Sequence, residues 1–308
     1  MKAIKILTTV ALAGAMVFTS CNVNDDIIDN NEAQAVKFTS GINALPTTKA
    51  AIDGTGNSVW ELNDPIGIYM VNHGTTIVAE SADNVKYTAA AAGASTSFTA
   101  SGTAIYYPVN ETAKVDFIAY HPHNAAVANY VYPVNVATQT SQTAIDLMYA
   151  TADKSGAGYN KTDAATAVNF AFSHQLAKLI LNVEKGAGVT GNLTSVTITG
   201  MNTTASFDLK GTAGLTTPGN QGPITPFTAT AGSKYEAILL PVAALGAAHT
   251  VEFTVGTETY IWNMSNDITS LAAGSIYTYD ITLTKYAVGV SGSITKWTVG
   301  DTGTGTAE

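Results

Sequence analysis

The sequence predicts an all-β protein built from two tandem antiparallel β-sandwiches, and three observations predict it. From Val36 onward, no segment sustains apolar residues at a 3.6-residue spacing. What recurs is short alternating runs rich in Val, Ile, Tyr, Phe and Thr, cut by Gly, Asn, Asp and Pro. Charge is also scarce: 46% of residues are hydrophobic and 12% charged. Thr, Ser, Asn, Ala and Gly must therefore cover the surface, as they commonly do in extracellular β-proteins.

The chain begins with an export signal. Lys2 and Lys5 form a basic head, residues 6–18 are apolar or small, and Thr19-Ser20 precede Cys21. That order marks residues 1–20 as a signal peptide, its apolar run short for a membrane span. A Cys directly after the cleavage point looks like a bacterial lipobox. Cys21 would then be lipidated and become the first residue of the mature chain. Phe18-Thr19-Ser20-Cys21 departs from the commonest Leu-Ala-Gly-Cys form, and an ordinary secretory signal with a chance Cys is the alternative. Multiple acyl chains would make a firm bilayer anchor.

Cys21 is the only cysteine, which rules out an intramolecular disulfide. The mature length, 308 − 20 = 288 residues, suits two ordinary domains. A net charge of −9 argues against nucleic acid or anionic membrane surfaces as partners. All 14 basic residues are Lys, so a trypsin-like protease would have to cut at Lys.

Residues 21–35 are polar and acidic and read as a flexible tether. A first sandwich is expected over 36–160, with strands at 36–39, 65–71, 104–108 and 115–120. The Gly- and Ser-containing stretch 152–163 reads as a linker. A second sandwich follows over 161–289, with strands at 168–172, 177–183, 195–199, 205–209, 235–240, 250–255, 259–262, 276–284 and 286–290. About seven strands per sandwich fit the length. Beyond them lies an appendage, 290–308, whose last strand candidate is 293–299. Ile294, Trp297 and Val299 are apolar there, and an exposed Trp costs solubility unless something buries it. The tail either folds back on its own domain or meets another molecule.

Four motifs in order resemble the fimbrillins (Mfa-like and FimA-like), the type V pilus subunits of Bacteroidales. They are Thr47-Thr48-Lys49-Ala50 after the first strand, and Trp60-Glu61-Leu62-Asn63-Asp64-Pro65-Ile66-Gly67-Ile68-Tyr69. Then come Phe172-Ser173-His174-Gln175-Leu176-Ala177-Lys178-Leu179, and Ala273-Gly274-Ser275-Ile276-Tyr277-Thr278-Tyr279 with Ile294 and Trp297 beyond it. The acidic Asp25, Asp26 and Asp29 also look like the surface-export signal of Bacteroides-type lipoproteins, although a plain solvated linker reads equally well.

The resemblance implies two transthyretin-like sandwiches and an outer-membrane lipoprotein precursor. It further implies cutting by a trypsin-like protease behind the first strand, and assembly with other fimbrial subunits by strand exchange. Mapped here, residues 36–45 are the removable strand, Lys49 is the cleavage position and Ala50 the new N-terminus. The family usually has Arg at that position. Residues 293–299 are the donor, with Ile294, Trp297 and Val299 as anchors. Physically, removing a strand bares unpaired backbone and a stripe of core, and an extended segment from a neighbour restores both. A ten-residue donor burying on the order of 500 Å² of apolar area would gain roughly 12 kcal/mol before ordering costs. Because each subunit donates and accepts, the contact grows an open fibre.

No catalytic, cofactor or metal constellation is expected. His121-Pro122-His123 lacks Cys and nearby carboxylates to complete a shell. His174 reads as a hydrogen-bonded histidine at a sandwich edge, and Ser173 lacks a nucleophile elbow. The leading expectation is a fimbrial subunit supporting adhesion. The alternative is a monomeric surface lipoprotein that binds glycan or a host ligand.

Overall fold

Alternation in the sequence becomes alternation in burial. Along 275–283, Tyr277, Tyr279, Ile281 and Leu283 are buried while Asp280 faces solvent, the period of two that a half-buried strand requires. The computed structural model describes residues 32–40, 51–52, 58–216, 219–285, 288–296 and 302–307.

In chain order the fold opens with β1 (Phe38–Ser40), β2 (Ala51–Ile52), β3 (Ser58–Val59), β4 (Pro65–Asn72), β5 (Val85–Ala89) and β6 (Thr96–Ala100). Then come β7 (Val115–His121), β8 (Val131–Asn135), β9 (Met148–Ala152), β10 (Val168–Phe170) and β11 (Ser173–His174). The second half supplies β12 (Ala177–Lys185), β13 (Leu193–Thr199), β14 (Thr204–Asp208), β15 (Leu215–Thr216), β16 (Phe227–Thr230) and β17 (Lys234–Leu239). It closes with β18 (Thr250–Val255), β19 (Glu258–Asn263), β20 (Ser275–Leu283), β21 (Val288–Lys296) and β22 (Thr302–Ala307). The only helical pieces among the described residues are two short 3-10 turns, Lys161–Asp163 and Met264–Asn266.

One sheet of eight strands, ordered β10-β1-β6-β5-β4-β7-β9-β11, carries the first half. Its two outermost strands, β10 and β11, are separated by only Ala171 and Phe172. Three residue steps, from Phe170 to Ser173, span at most about 11 Å, so the sheet must curl until its edges meet. A sandwich-like core results from one sheet folded on itself. In the second half, the six-stranded sheet β16-β17-β12-β20-β21-β22 faces the three-stranded sheet β13-β18-β19. Trp262 from one and Tyr279 from the other meet at 5.0 Å.

The two cores share a wall. In β4, Ile66, Ile68 and Met70 enter the first core while Tyr69 and Val71 enter the second. In β7, Phe117 and Ala119 face the first and Ile118 and Tyr120 the second. Strands buried on both faces lose the polar alternation, which is why 65–71 reads as a nearly continuous apolar run. β8 lies within the first half of the chain yet pairs with β14. From Ala33 on, the described residues form one compact unit.

Two local expectations change. Residues 104–108 form no ladder: Ala35 and Tyr106 make a single bridge there. The stretch read as a linker is stitched down, because Val115 and Tyr159 exchange both backbone hydrogen bonds at 2.8 Å.

Candidate functional site: the slot of the first strand

β1 occupies an interior position. It runs parallel to β10, with Phe38 opposite Val168, and antiparallel to β6, with Phe38 opposite Phe98. The approach to it is also paired: Val36 N–H donates to Ile105 O, and Tyr107 N–H to Gln34 O, both at 2.9 Å. Val36, Phe38 and Ser40 point inward and are buried, whereas Lys37 is exposed. The Phe38 ring sits among Tyr87 at 5.1 Å, Phe117 at 5.2 Å and Phe170 at 5.6 Å. Its neighbours come from β5, β7 and β10, around the inside of the curled sheet, so Phe38 plugs the first core. Fully burying Phe38 and Val36 contributes about 3 to 6 kcal/mol together. Without this segment, β6 and β10 would each present a bare edge around an aromatic-lined hole.

The far end of the removable strand (41–45), Lys49 and Ala50 lie outside the described residues, as do Cys21, Trp297 and Val299. Ile294 is described through its backbone: it lies in β21, opposite Tyr277 of β20. β21 pairs antiparallel with β20 along nine residues, from Ser275↔Lys296 to Leu283↔Val288, and with β22 on its other side. The C-terminal strand therefore seats on its own sheet, beside β20.

The frame around the slot is built from the motifs that the sequence singled out. Trp60 is fully buried, with Phe98 at 5.2 Å, Phe172 at 5.3 Å and His121 at 5.5 Å. The stretch from Phe172 to Leu179 crosses between the cores. Its His174 Nδ1 lies 2.9 Å from Asp146 Oδ1, and both side chains are buried. Lys178 Nζ, also buried, lies 2.6 Å from Glu236 Oε2. Burial alone would raise the Glu236 pKa, but Lys178 and Lys234 outweigh it and hold the carboxylate below its ordinary range.

His121 donates through Nδ1 to Pro65 O at 3.0 Å. Burial pushes its pKa down to about 4, against the opposing pull of that carbonyl. Nearby, burial raises the Asp64 carboxyl to about 6, despite the hydrogen bond it accepts from Glu61 N–H at 2.7 Å. Both groups are therefore held towards their neutral forms. His123 is separated from His121 by the turn at Pro122. Among the described residues, no group of three or more His, Cys, Asp or Glu could hold a metal ion.

Sequence reasoning missed Gln139. Its side chain reproduces a missing strand residue at the β17 edge, donating to Ile238 O and accepting from Ile238 N–H, each at 2.9 Å. A Gln in a loop of Thr, Ser and a second Gln carries no local signal of that role.

These features define a class: an all-β, sandwich-like protein with its first strand set inside a sheet and its last strands along a sheet edge. The fimbrillin-like family profile matches residues 48–297. A candidate fimbrium subunit of Bacteroides uniformis, Fim1C, is 38% identical over 288 residues, covering 89% of each chain. The crystal structure of a candidate cell adhesion protein from Bacteroides uniformis superposes with a TM-score of 0.70 at 32% identity, covering 86% of this chain and 98% of that one. A second such structure, from Bacteroides ovatus, shares the fold with a TM-score of 0.64 at 20% identity, covering 88% and 100%. The chain belongs to the fimbrillin-like family, a family of fimbrial and cell-adhesion proteins.

Proposed function

We propose that this chain is a structural subunit of a cell-surface fimbria that assembles by exchanging strands and supports adhesion. It is exported as a precursor, lipidated at Cys21 and anchored in the outer membrane. A trypsin-like protease that accepts lysine cuts after Lys49, and residues 36–45 leave with the anchor. The vacated slot between β6 and β10 is then filled by the C-terminal appendage of a neighbouring subunit, with Ile294, Trp297 and Val299 as its anchors. Each subunit thus gives one strand and receives one, and the contact propagates.

The observation that carries this reading is the position of β1. An edge strand could be lost with little structural demand for a replacement. A strand hydrogen-bonded on both sides, with Phe38 plugging the core, leaves a cleft that only another extended segment refills. Fim1C and the Bacteroides uniformis adhesion protein, by their descriptions, support the fimbrial and adhesive parts of the reading.

The test is the N-terminal residue of material sheared from cells, combined with the behaviour of purified protein after trypsin trimming. The reading expects Ala50 at the new N-terminus, oligomers after trimming, and loss of those oligomers when residues 290–308 are deleted. Trimmed chains that stay monomeric, or sheared material that keeps Cys21, would refute it.

A further inference from the structure

We propose that Gly292 and Tyr279 form a register lock, which admits the C-terminal strand beside β20 in one frame only. β21 is then a two-position element, either fully seated or fully released, with no sliding in between.

Gly292 lies directly opposite Tyr279 in the β20–β21 ladder. The Tyr279 ring occupies the space where a side chain at 292 would begin. A Cβ added there would overlap Cδ1 and Cε1 of the ring and come within 2.9 Å of Cζ. Gly292 has no left-handed backbone, so the demand is for room and not for conformational freedom.

The ring cannot readily swing away. It packs on Trp262 at 5.0 Å, its hydroxyl donates to Asp267 O at 3.3 Å, and the residue is buried. Asp267 is held in turn, because Trp262 Nε1 donates to its Oδ2 at 2.7 Å.

Slipping β21 by two residues would set Val290 or Ile294 opposite Tyr279, each with a branched side chain where none fits. Slipping by one residue would turn every side chain to the other face. All neighbouring frames are therefore closed.

The molecule uses the same pairing in its centre. Gly67 of β4 lies opposite Tyr120 of β7, and a Cβ there would overlap the Tyr120 ring and lie 2.7 Å from Oδ1 of Asn84. There the glycine fixes the register of the wall shared by both cores. In the second half the same device fixes β21, the strand between β20 and the outermost strand β22.

The lock stands apart from the assembly reading, since it is measured on the monomer and survives if the chain never polymerises. The experiment is hydrogen exchange, read by mass spectrometry on the full chain, with β4 and β7 as internal controls. Gly292→Ala is expected to speed exchange across 288–296 roughly tenfold or more while β4 and β7 stay protected. Adding Tyr279→Ala to that variant is expected to restore protection by clearing the space, whereas adding Tyr279→Phe, which keeps the ring, is not. Unchanged exchange in Gly292→Ala overturns the lock, as does equal rescue by Phe and Ala. Should Tyr279→Ala not fold, the single variant and the Phe pair still decide.

Discussion

Among the described residues, the first strand and the last two sit in opposite situations. β1 lies between two neighbours, and its Phe38 fills the middle of a core. β21 and β22 form a hairpin laid along the outer side of β20. Removing an interior strand leaves two bare edges and a hole, whereas removing an edge hairpin leaves one bare edge and no hole. Under the proposed strand exchange, the difference would let one monomer carry both halves of a joint. The interior strand defines a site that demands refilling, and the edge strand is the piece whose loss its own fold best tolerates.

The largest test of that contrast compares the two ends directly. Phe38→Ala is expected to cost about 3 to 5 kcal/mol in urea denaturation, because it empties an aromatic cavity. Ending the chain before Val288 is expected to cost clearly less. An equal or larger loss from the C-terminal deletion would break the comparison.

Away from the slot, the six-stranded sheet holds a buried charge pair between β12 and β17. Lys178→Met should cost about 3 kcal/mol, since it leaves Glu236 partly buried without its closest cation. Replacing Lys178 and Glu236 together with apolar residues should recover most of that loss.

Acid should act on the frame around the slot, where His121 packs on Trp60. The His121 pKa falls to about 4 from an ordinary 6.5. The unfolded chain therefore binds that proton more readily, and stability should rise with pH between those two values. The full His121 contribution is roughly 3 kcal/mol. Asp64, raised from 3.8 to about 6, works in the other direction: its contribution is complete below 3.8 and is lost as pH rises through 6. The wild type should thus show a shallow profile from pH 4 to 6. Asp64→Asn should steepen the acid loss, measured as denaturation midpoints across that range.

The smallest effect belongs to the loop that caps β17. Gln139→Leu leaves both backbone groups of Ile238 without their partner and is expected to cost about 1 to 2 kcal/mol.

Much of this architecture was legible in the sequence because burial and alternation go together. The run from Ile276 to Thr284 was plain, as were the strands at 65–71 and 115–120. β5 and β6 were not: between them they carry only Val85, Tyr87 and Phe98 as large apolar residues among Thr, Ser, Lys and Ala. β8 was hidden by Pro133, which argues against a central strand. It is tolerated because β8 is the outer strand of its sheet. The closing of one sheet on itself, and the wall shared by two cores, arise from contacts distant in sequence. No local pattern announces that Trp60 meets Phe172, or that Tyr279 needs a glycine thirteen residues on. One sequence expectation also meets a constraint of parity: in a continuous strand, Ile294 falls on the face opposite Trp297 and Val299. All three can anchor one groove only if the strand is bulged or bent between them.

The most direct measurement asks where a free C-terminal segment binds once the first strand is gone. Protein trimmed through Lys49 would be mixed with a synthetic peptide spanning residues 288–308, and hydrogen exchange followed along the chain. The account predicts binding, with new protection in β6 and β10, the strands that flank the slot. No binding, or protection confined to β20, would contradict it.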